Sequence, residues 1–221
     1  MKNPVISALK TEFIPATDIT NDPQSPTKKL MIVLHGLGDS SEGYKWLPSE
    51  MRRSDISYLL LNAPDAYYMG YSWFDIPGDA TPGILRSREY LFRTVQELEA
   101  QGWKNENIAL FGFSQGCLMV LDLALRYPKK FAAVIGISGY AAFLEEYPQA
   151  FSSCAKEQKI LITHGSEDPM LPLHFTKPQM QKLQSLGLQL EWKEYKKEHT
   201  IDPEKEMSDI RAFLSKTLCR S

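Results

Sequence analysis

The strongest chemical signal in the sequence is a serine placed between two glycines. A G-x-S-x-G motif at residues 112–116 puts Ser114 directly after a short apolar run and directly before an apolar helical segment. On such a strand-to-helix turn the serine hydroxyl is exposed, and the glycines permit the close backbone approach that the bend requires. The pattern indicates a nucleophilic serine. The simpler alternative is a serine that only caps the helix.

A serine hydroxyl is a weak nucleophile, so a base and a carboxylate that orients the base must lie elsewhere in the chain. After a G-x-S-x-G serine, the acid comes first along the chain and the histidine second. Asp168 follows a later apolar run and suits the acid. His199 lies between the last predicted strand and the last predicted helix and suits the base better than His174, which begins a helix. We therefore predict that Ser114, Asp168 and His199 are catalytic. Glu167 and Asp202 are weaker alternatives for the acid, because Glu167 is more easily explained as a solvated loop residue and Asp202 as a helix cap.

Acyl transfer by a serine also needs two backbone N–H groups that stabilise the oxyanion. Gln115, the residue after the serine, supplies the first, and Leu37 is well placed to supply the second. Leu37 belongs to a His-Gly-Leu-Gly-Asp segment at residues 35–39 that follows an early apolar run. A dinucleotide-binding turn is the alternative, but position 41 holds Ser41 where a third glycine is needed. The segment therefore favours an oxyanion hole.

The remaining reactive side chains have plainer interpretations. Cys117 lies on an apolar helix and is expected to be a small buried hydrophobe. His35 and His164 adjoin glycines at strand ends and are expected to shape the rim of the site, because no two histidines have the spacing of metal ligands. Three cysteines without a CxxC spacing argue against a disulfide framework and a zinc site: Cys117, Cys154 and Cys219. We expect neither a metal nor an organic cofactor.

The elements that must position these residues follow from the apolar pattern. Short apolar runs predict strands at residues 30–34, 56–61, 108–111, 132–137 and 160–163, and a less buried late strand at 188–192. Helical spacing between and after them predicts helices at residues 84–101, 115–126 and from Pro203 onward, the last with Asp202 as its cap. Strands that alternate with helices predict an α/β fold with a mostly parallel sheet, in a single domain over residues 1–221.

One stretch, residues 62–83, has no clear period but is rich in aromatic residues. Long loops of this kind are usually functional or disordered, and the aromatic content favours an ordered, functional loop. We expect apolar residues from this stretch and from the segment after Asp168 to bind substrate: Met69, Trp73, Phe74, Ile76, Met170 and Leu171. The alternative is that the aromatic residues only cover the core.

Composition and charge disfavour several other functions. Hydrophobic residues make up 43% and charged residues 24% of the 221 residues, which is typical of soluble globular proteins. The 25 basic and 27 acidic residues give a net charge of −2, and the lysines are scattered, so nucleic acid is not an expected partner. No apolar run reaches the roughly 18 residues that span a bilayer, and the N-terminus lacks the apolar core of a signal peptide. We expect a cytoplasmic protein without stable membrane insertion.

Taken together, these motifs resemble the small carboxylesterase, lysophospholipase and acyl-protein thioesterase family of the α/β-hydrolases. The resemblance covers nearly the whole chain and rests on five segments: residues 35–39, 62–64 (Asn-Ala-Pro), 72–75 (Ser-Trp-Phe-Asp), 112–116 and 164–172. It implies an α/β-hydrolase fold, a triad of Ser114, Asp168 and His199, and an oxyanion hole formed by Leu37 and Gln115. Two positions depart from the family pattern. Residues 196–198 are Lys-Lys-Glu where members often carry a glycine, and Cys117 replaces a frequent third glycine.

The resemblance implies a serine carboxylesterase that cleaves small-molecule esters of short to medium acyl chains through an acyl-enzyme. An acyl-protein thioesterase or lysophospholipase that acts on long-chain acyl substrates is the main alternative. An acyltransferase and a hydrolase-fold binding protein without catalysis are further alternatives, although every catalytic position is filled. The sequence leaves a homodimer open.

Overall fold

The structure is a computed structural model that describes residues 3–18 and 29–218, so Cys219 lies outside the described residues. The strands of these residues are β1 (Thr11–Ile14), β2 (Lys29–Leu34), β3 (Ile56–Leu61), β4 (Asp65–Tyr67), β5 (Gly70–Ser72), β6 (Ile108–Phe113), β7 (Ala133–Ile137), β8 (Ile160–Gly165) and β9 (Leu190–Tyr195). Their α-helices are α1 (Leu47–Met51), α2 (Thr81–Ala100), α3 (Gln115–Arg126), α4 (Tyr147–Ala150), α5 (Leu173–Ser185) and α6 (Lys205–Thr217). Short 3₁₀ turns lie at Ser41–Tyr44, Asn105–Asn107 and Ala155–Glu157.

Seven of these strands form one sheet in the order β1-β3-β2-β6-β7-β8-β9, and β4 and β5 form a separate hairpin. β1 runs antiparallel to β3, whereas the other neighbouring pairs in the large sheet are parallel. Strands of a parallel sheet are buried on both faces, which explains why β2, β3 and β7 are buried along their whole length. The predicted α/β architecture is confirmed.

Helices cover both faces of the sheet and create two apolar cores. Successive residues of a strand point to opposite faces, so Leu30 and Ile32 of β2 join one core while Met31 and Val33 join the other. Helices α2 and α3 pack into the first core, and α1 and α6 pack into the second. Within the described part of the chain, no helix combines the length and the apolar character that crossing a bilayer requires.

Several elements differ from the sequence prediction, beginning with β1 and α2. β1 was not predicted, because its residues, Thr-Glu-Phe-Ile, are only half-buried at the sheet edge and form no continuous apolar run. Helix α2 begins at Thr81 and not at the predicted Ile84, because a proline fits the first turn of a helix, where its missing N–H costs no hydrogen bond.

The start of α6 was also placed two residues too early. The helix begins at Lys205, not at Pro203. The Asp202 carboxylate nevertheless accepts hydrogen bonds from the backbone N–H groups of Glu204 and Lys205 at 3.0 and 2.7 Å. Asp202 therefore satisfies N–H groups at the beginning of the helix, as predicted, although the boundary was wrong.

Candidate active site

Ser114 lies on the turn between β6 and α3. Its backbone has φ 54° and ψ −115°, a conformation that a residue with a side chain rarely adopts and that costs on the order of 1–3 kcal/mol. Two backbone hydrogen bonds stabilise the turn: the Ser114 N–H donates to the Ile137 carbonyl at 2.8 Å, and the Leu118 N–H donates to the Ser114 carbonyl at 3.2 Å. The serine side chain makes no capping hydrogen bond to α3, so the helix-cap alternative is wrong.

The two glycines of the motif are required by the close packing of this turn. A Cβ atom at position 112 would lie 2.2 Å from the Gly116 carbonyl oxygen. A Cβ atom at position 116 would lie 2.2 Å from the Leu34 carbonyl oxygen, at the end of β2. Both distances are far shorter than a van der Waals contact. The first turn of α3 therefore packs directly on the backbone of β2 and β6, which fixes where Ser114 lies.

A continuous line of hydrogen bonds connects Ser114 to His199 and Asp168. His199 Nε2 lies 2.9 Å from Ser114 Oγ, and His199 Nδ1 lies 2.7 Å from Asp168 Oδ2. The other carboxylate oxygen, Asp168 Oδ1, accepts hydrogen bonds from the N–H groups of Met170 and Leu171, each at 2.9 Å. The structure thus brings together three residues that are widely separated in the sequence.

The charge state of Asp168 determines the tautomer of His199. Burial of the carboxyl group raises the pKa of Asp168, but the hydrogen bonds from Leu171 and His199 outweigh burial and hold the pKa below its ordinary value. An ionised carboxylate only accepts hydrogen bonds, so Nδ1 of His199 carries the proton. Nε2 then presents a lone pair to the serine hydroxyl. This arrangement suits a general base.

The rival residues lie elsewhere. The Glu167 side chain is half exposed, and its carboxylate is 3.9 Å from the Lys196 ammonium. Asp202 is occupied at the beginning of α6. His174 is exposed on α5. None of the three forms a hydrogen bond with Ser114 or His199 in the described part of the chain.

The loop that carries His199 is held from two sides. A Cβ atom at Gly165 would lie 2.3 Å from the Lys197 carbonyl oxygen, so the end of β8 packs on the backbone of this loop. On the other side, Lys197 Nζ donates to both carboxylate oxygens of Glu206 on α6 at 2.7 Å and to the Thr200 carbonyl at 2.5 Å. The side chains of Lys197 and Glu206 are 4% and 0% exposed, so the pair is buried.

This buried pair was not predicted from the sequence. Lys197 belongs to a Lys-Lys pair in a loop, where lysines are normally solvated, and its neighbour Lys196 is indeed 85% exposed. Burial lowers the pKa of Lys197, and the contact with Glu206 acts in the opposite direction. Lys197 belongs to the segment 196–198, where family members often carry a glycine. Its contacts to Glu206 and Thr200 anchor the backbone next to His199.

The segment at residues 35–39 approaches Ser114 closely. A Cβ atom at Gly36 would lie 3.3 Å from Ser114 Cβ. His35 supports the segment from below: the Ala63 N–H donates to His35 Nε2 at 3.1 Å, and Nδ1 lies 2.6 Å from the Gly36 carbonyl, to which it donates. His35 is only 1% exposed, and burial lowers its pKa. The expectation that His35 shapes the rim is therefore wrong, because the ring is a buried, neutral support.

His164 likewise lies beneath the site and not at its rim. Its side chain is fully buried, and Nε2 lies 2.8 Å from the Leu171 carbonyl oxygen, so the ring supports the segment that donates to Asp168. Burial lowers the pKa of His164. Within the described residues no group of three His, Cys, Asp or Glu side chains forms a candidate metal site.

The Gln115 side chain connects α3 to the segment after the hairpin β4–β5. Its Oε1 accepts the Trp73 N–H at 2.9 Å, and its Nε2 donates to the Phe74 carbonyl at 2.8 Å. The backbone amide of Gln115 begins α3, next to Ser114. Leu37, the second predicted oxyanion donor, follows Gly36 in the segment that approaches Ser114.

Within the stretch at 62–83, residues 65–72 form the hairpin of β4 and β5, whereas residues 73–80 have no helix or strand. The hairpin is hydrogen bonded to the segment at 35–39, because the Tyr71 N–H donates to the Asp39 carbonyl and the Gly38 N–H donates to the Tyr71 carbonyl, each at 2.9 Å. A Cβ atom at Gly70 would lie 2.3 Å from the Gly38 carbonyl oxygen, so only glycine allows this contact.

The predicted substrate-binding residues fall into two groups. Trp73 and Phe74 are 0% exposed and belong to the core, so the expectation that they line an acyl pocket is wrong in this structure. Their large apolar side chains pack beneath the hairpin instead. Met69, Ile76 and Met170 are exposed, with Met69 at 99%, and Leu171 is half-buried. These four residues have surface that a substrate could contact.

Cys117 is buried and cannot replace Ser114 as a nucleophile. Burial raises the pKa of its thiol to about 12, so the reactive thiolate is scarce at neutral pH. Cβ atoms at Gly136 and Gly139 would lie 2.5 and 2.4 Å from Cys117 Sγ. Glycines opposite Cys117 thus make room for the side chain that replaces the family's third glycine.

The parallel sheet, the strained serine turn and the Ser114–His199–Asp168 hydrogen bonds together define an α/β-hydrolase. Residues 16–218 match the sequence pattern of the phospholipase/carboxylesterase family. The chain belongs to this family and is accordingly a carboxylic ester hydrolase.

Known relatives agree with this assignment. Acyl-protein thioesterase 1 of Schizosaccharomyces pombe is 36% identical over 155 residues, which cover 64% of this chain and 69% of the relative. Acyl-protein thioesterase 1 of Gibberella zeae is 30% identical over 212 residues, which cover 85% of this chain and 90% of the relative. The crystal structure of esterase PE8 superposes with a TM-score of 0.81 at 28% identity, covering 95% of this chain and 99% of that chain.

Proposed function

We propose that the protein is a serine carboxylesterase that cleaves small-molecule esters of short to medium acyl chains through an acyl-enzyme on Ser114. The observation that carries the proposal is the line of hydrogen bonds from Asp168 through His199 to Ser114, at 2.7 and 2.9 Å. A nucleophile within reach of a base, which is itself oriented by a carboxylate, is the arrangement that activates a serine hydroxyl.

In the first half of the proposed reaction, His199 Nε2 accepts the proton of Ser114 as Oγ attacks the ester carbonyl carbon. The backbone N–H groups of Leu37 and Gln115 stabilise the negative charge that develops on the carbonyl oxygen. His199 then donates the proton to the leaving alcohol as the carbon–oxygen bond breaks. Asp168 stabilises the positive charge on the imidazole throughout.

In the second half, water attacks the acyl-enzyme. His199 accepts a proton from the water, the second tetrahedral intermediate forms, and its collapse returns the proton to Ser114 Oγ and releases the carboxylic acid. Ester and water are the only reactants.

The cytoplasmic location stays a prediction, and a homodimer stays a possibility that the sequence leaves open.

A second candidate is an acyl-protein thioesterase or lysophospholipase that acts on long acyl chains. The relatives named acyl-protein thioesterase 1 favour it. So do the exposed apolar side chains of Met69, Ile76 and Met170, which offer an acyl chain contacts outside the core. The same three residues, Ser114, His199 and Asp168, serve both candidates, since a thioester carbonyl undergoes the same attack.

A chain-length series distinguishes the two candidates. Nitrophenyl esters from acetyl to palmitoyl are compared with matched acyl thioesters, and Ser114→Ala is the control. Ser114→Ala is expected to lower kcat by about 10⁴ or more and to prevent labelling by a fluorophosphonate probe, while the fold is retained. Highest kcat/KM with short esters supports the carboxylesterase, and highest kcat/KM with long-chain thioesters supports the second candidate. Near-normal activity of Ser114→Ala would contradict both.

A further inference from the structure

A groove of about 570 Å³ opens beside His199, and its other lining residues have no role in the proposed reaction. Its lining combines the catalytic loop with the segment after β2 and with α1 and α6: Asp39, Gly43, Tyr44, Trp46, Glu50, Phe113, His199, Thr200, Ile201, Pro203 and Met207. The Phe113 and His199 rings contact each other with centroids 5.0 Å apart. The groove therefore begins at the catalytic imidazole and not at a separate site.

The floor of the groove is aromatic. Trp46 is 38% exposed, an unusual exposure for a tryptophan, and its ring stacks on Tyr44 with centroids 6.3 Å apart and an interplanar angle of 28°. The indole N–H donates to the Gly43 carbonyl at 2.7 Å, which fixes the orientation of the ring. Tryptophan has the aromatic face that binds cations best.

The charged side chains of the groove are acidic. Asp39 and Glu50 line it, and no lysine or arginine belongs to the lining residues. A Cβ atom at Gly43 would lie 2.2 Å from Asp39 Oδ1, so the carboxylate lies directly over the residue to which Trp46 is hydrogen bonded. Arg211 approaches Glu50 from outside the groove, where its guanidinium donates to the Glu50 backbone carbonyl at 2.9 Å. The carboxylates and the indole together form a surface that complements a positive charge.

The position of His199 indicates which part of a substrate would enter. In acyl transfer the imidazole donates its proton to the leaving group, so the leaving group must lie on the imidazole side of the carbonyl carbon. The oxyanion lies on the side of the Leu37 and Gln115 amides. A groove that His199 and Thr200 line therefore receives the alcohol or thiol of the substrate, whereas the acyl group extends from the other side of the carbonyl.

We propose that this groove is the leaving-group subsite and that it selects alcohols and thiols that carry a positive charge. The proposal rests on the proposed function, since it assigns a specificity to the same site. The ammonium group of the substrate would lie against the Trp46 ring and between the Asp39 and Glu50 carboxylates.

Two thioesters that differ only in charge test the proposal. Butyrylthiocholine carries a trimethylammonium group, and S-(3,3-dimethylbutyl) thiobutyrate carries a tert-butyl group of the same shape. We expect kcat/KM to be on the order of tenfold higher for the charged substrate at low salt, from two carboxylates and an aromatic face near one cation. The ratio of the two kcat/KM values should decrease as salt is added, because ions screen exposed charges.

Three substitutions locate the effect. Glu50→Gln and Asp39→Asn should each lower the ratio about two- to threefold, and Trp46→Leu should lower it while keeping apolar contact. The matched control is Glu42→Gln. Glu42 lies on the same 3₁₀ turn as Tyr44 but is exposed and paired with Lys45 at 2.9 Å, and it does not line the groove. This control should leave both kcat/KM values unchanged.

Each outcome has a defined meaning. A ratio near one that none of the three substitutions changes overturns the inference and leaves the proposed function intact. If Trp46→Leu changes the preferred acyl length and not the ratio, the groove binds the acyl chain and the inference is wrong. Failure to hydrolyse any ester or thioester, together with no fluorophosphonate labelling of Ser114, overturns the proposed function and the inference with it.

Discussion

The turn that carries Ser114 (the serine turn) and the loop that carries His199 (the histidine loop) face each other across the site. They are held in place by different physical means. Ser114 is positioned by backbone sterics, since Gly112 and Gly116 allow carbonyl contacts that no side chain would permit. His199 is positioned by a buried ion pair, Lys197 with Glu206, which joins the loop to α6. The glycine contacts depend on shape and not on charge, whereas an ion pair depends on both partners and on the protonation of each.

The largest effect on activity is expected where the serine turn and the histidine loop meet, at His199. His199→Ala removes the base from the serine turn and is expected to lower kcat by about 10⁴, because the serine hydroxyl then keeps its proton. His174→Ala is the matched control, since His174 is the other histidine after Asp168 and is exposed on α5. Steady-state kinetics with a nitrophenyl ester measures both. A similar loss in the two variants would contradict the assignment of His199.

The next effect concerns the ion pair. Lys197→Met leaves the buried Glu206 carboxylate without its cationic partner and is expected to lower the free energy of unfolding by about 3–5 kcal/mol. Activity should also decrease, because Lys197 no longer anchors the backbone at Thr200, next to His199. Chemical denaturation monitored by tryptophan fluorescence gives the stability, and ester hydrolysis gives the activity.

Two companion variants make this prediction specific. Lys196→Met, at the exposed neighbouring lysine, is expected to change stability by less than about 0.5 kcal/mol. The double variant Lys197→Met/Glu206→Gln removes both charges and should recover part of the stability, because a neutral pair leaves no unpaired buried charge. Equal destabilisation by Lys196→Met and Lys197→Met would mean that burial of the pair is unimportant.

A smaller effect is expected from a substitution at the closely packed glycine of the serine turn. Gly116→Ala places a Cβ 2.2 Å from the Leu34 carbonyl and is expected to cost about 3 kcal/mol of stability and to lower kcat, because the turn that carries Ser114 must shift. Gly102→Ala is the control, since Gly102 has a positive φ of 84° but open space around its Cβ. Backbone strain alone there should cost about 1–2 kcal/mol and leave kcat unchanged. Thermal and chemical unfolding compare the two variants.

The same contrast explains what the sequence could predict. The G-x-S-x-G turn and the buried strands β2, β3 and β6 are predictable because their determinants are neighbours in the sequence. The pair of Lys197 and Glu206 was missed because nothing local marks a lysine whose partner lies on the following helix. Sequence pattern alone also cannot tell a buried aromatic residue from an exposed one.

That last limit is visible at the hairpin. Trp73 and Phe74 were expected to contact substrate, but the Gln115 side chain binds their backbone, and their rings fill the core. Met69, in the same stretch, is exposed. The hairpin itself was not predicted because its strands have three residues each, too few for a periodic pattern. The direction of a side chain in such a segment depends on long-range contacts, which only the folded structure provides.

The smallest expected effect compares the two regions through their buried histidines, His35 below the segment at 35–39 and His164 beside Asp168. Burial lowers the pKa of both from the ordinary value of 6.5. Below pH 6.5 the unfolded chain therefore binds protons that the folded state does not, so the free energy of unfolding decreases as the pH falls, by at most about 1.4 kcal/mol per pH unit for each histidine.

Removing one of these histidines should flatten that dependence. We expect His35→Gln to reduce the slope of the free energy of unfolding against pH, between pH 6.5 and 5, by up to about 1.4 kcal/mol per pH unit, which corresponds to one proton. Glutamine can still accept the Ala63 N–H, so the variant should fold. His174→Gln is the control, because that histidine is exposed on α5, and it should leave the slope unchanged. Urea unfolding at a series of pH values measures the slopes. An unchanged slope in His35→Gln would mean that the folded protein protonates His35 as readily as the unfolded chain does, which the two hydrogen bonds of a neutral ring, from Ala63 and to Gly36, argue against.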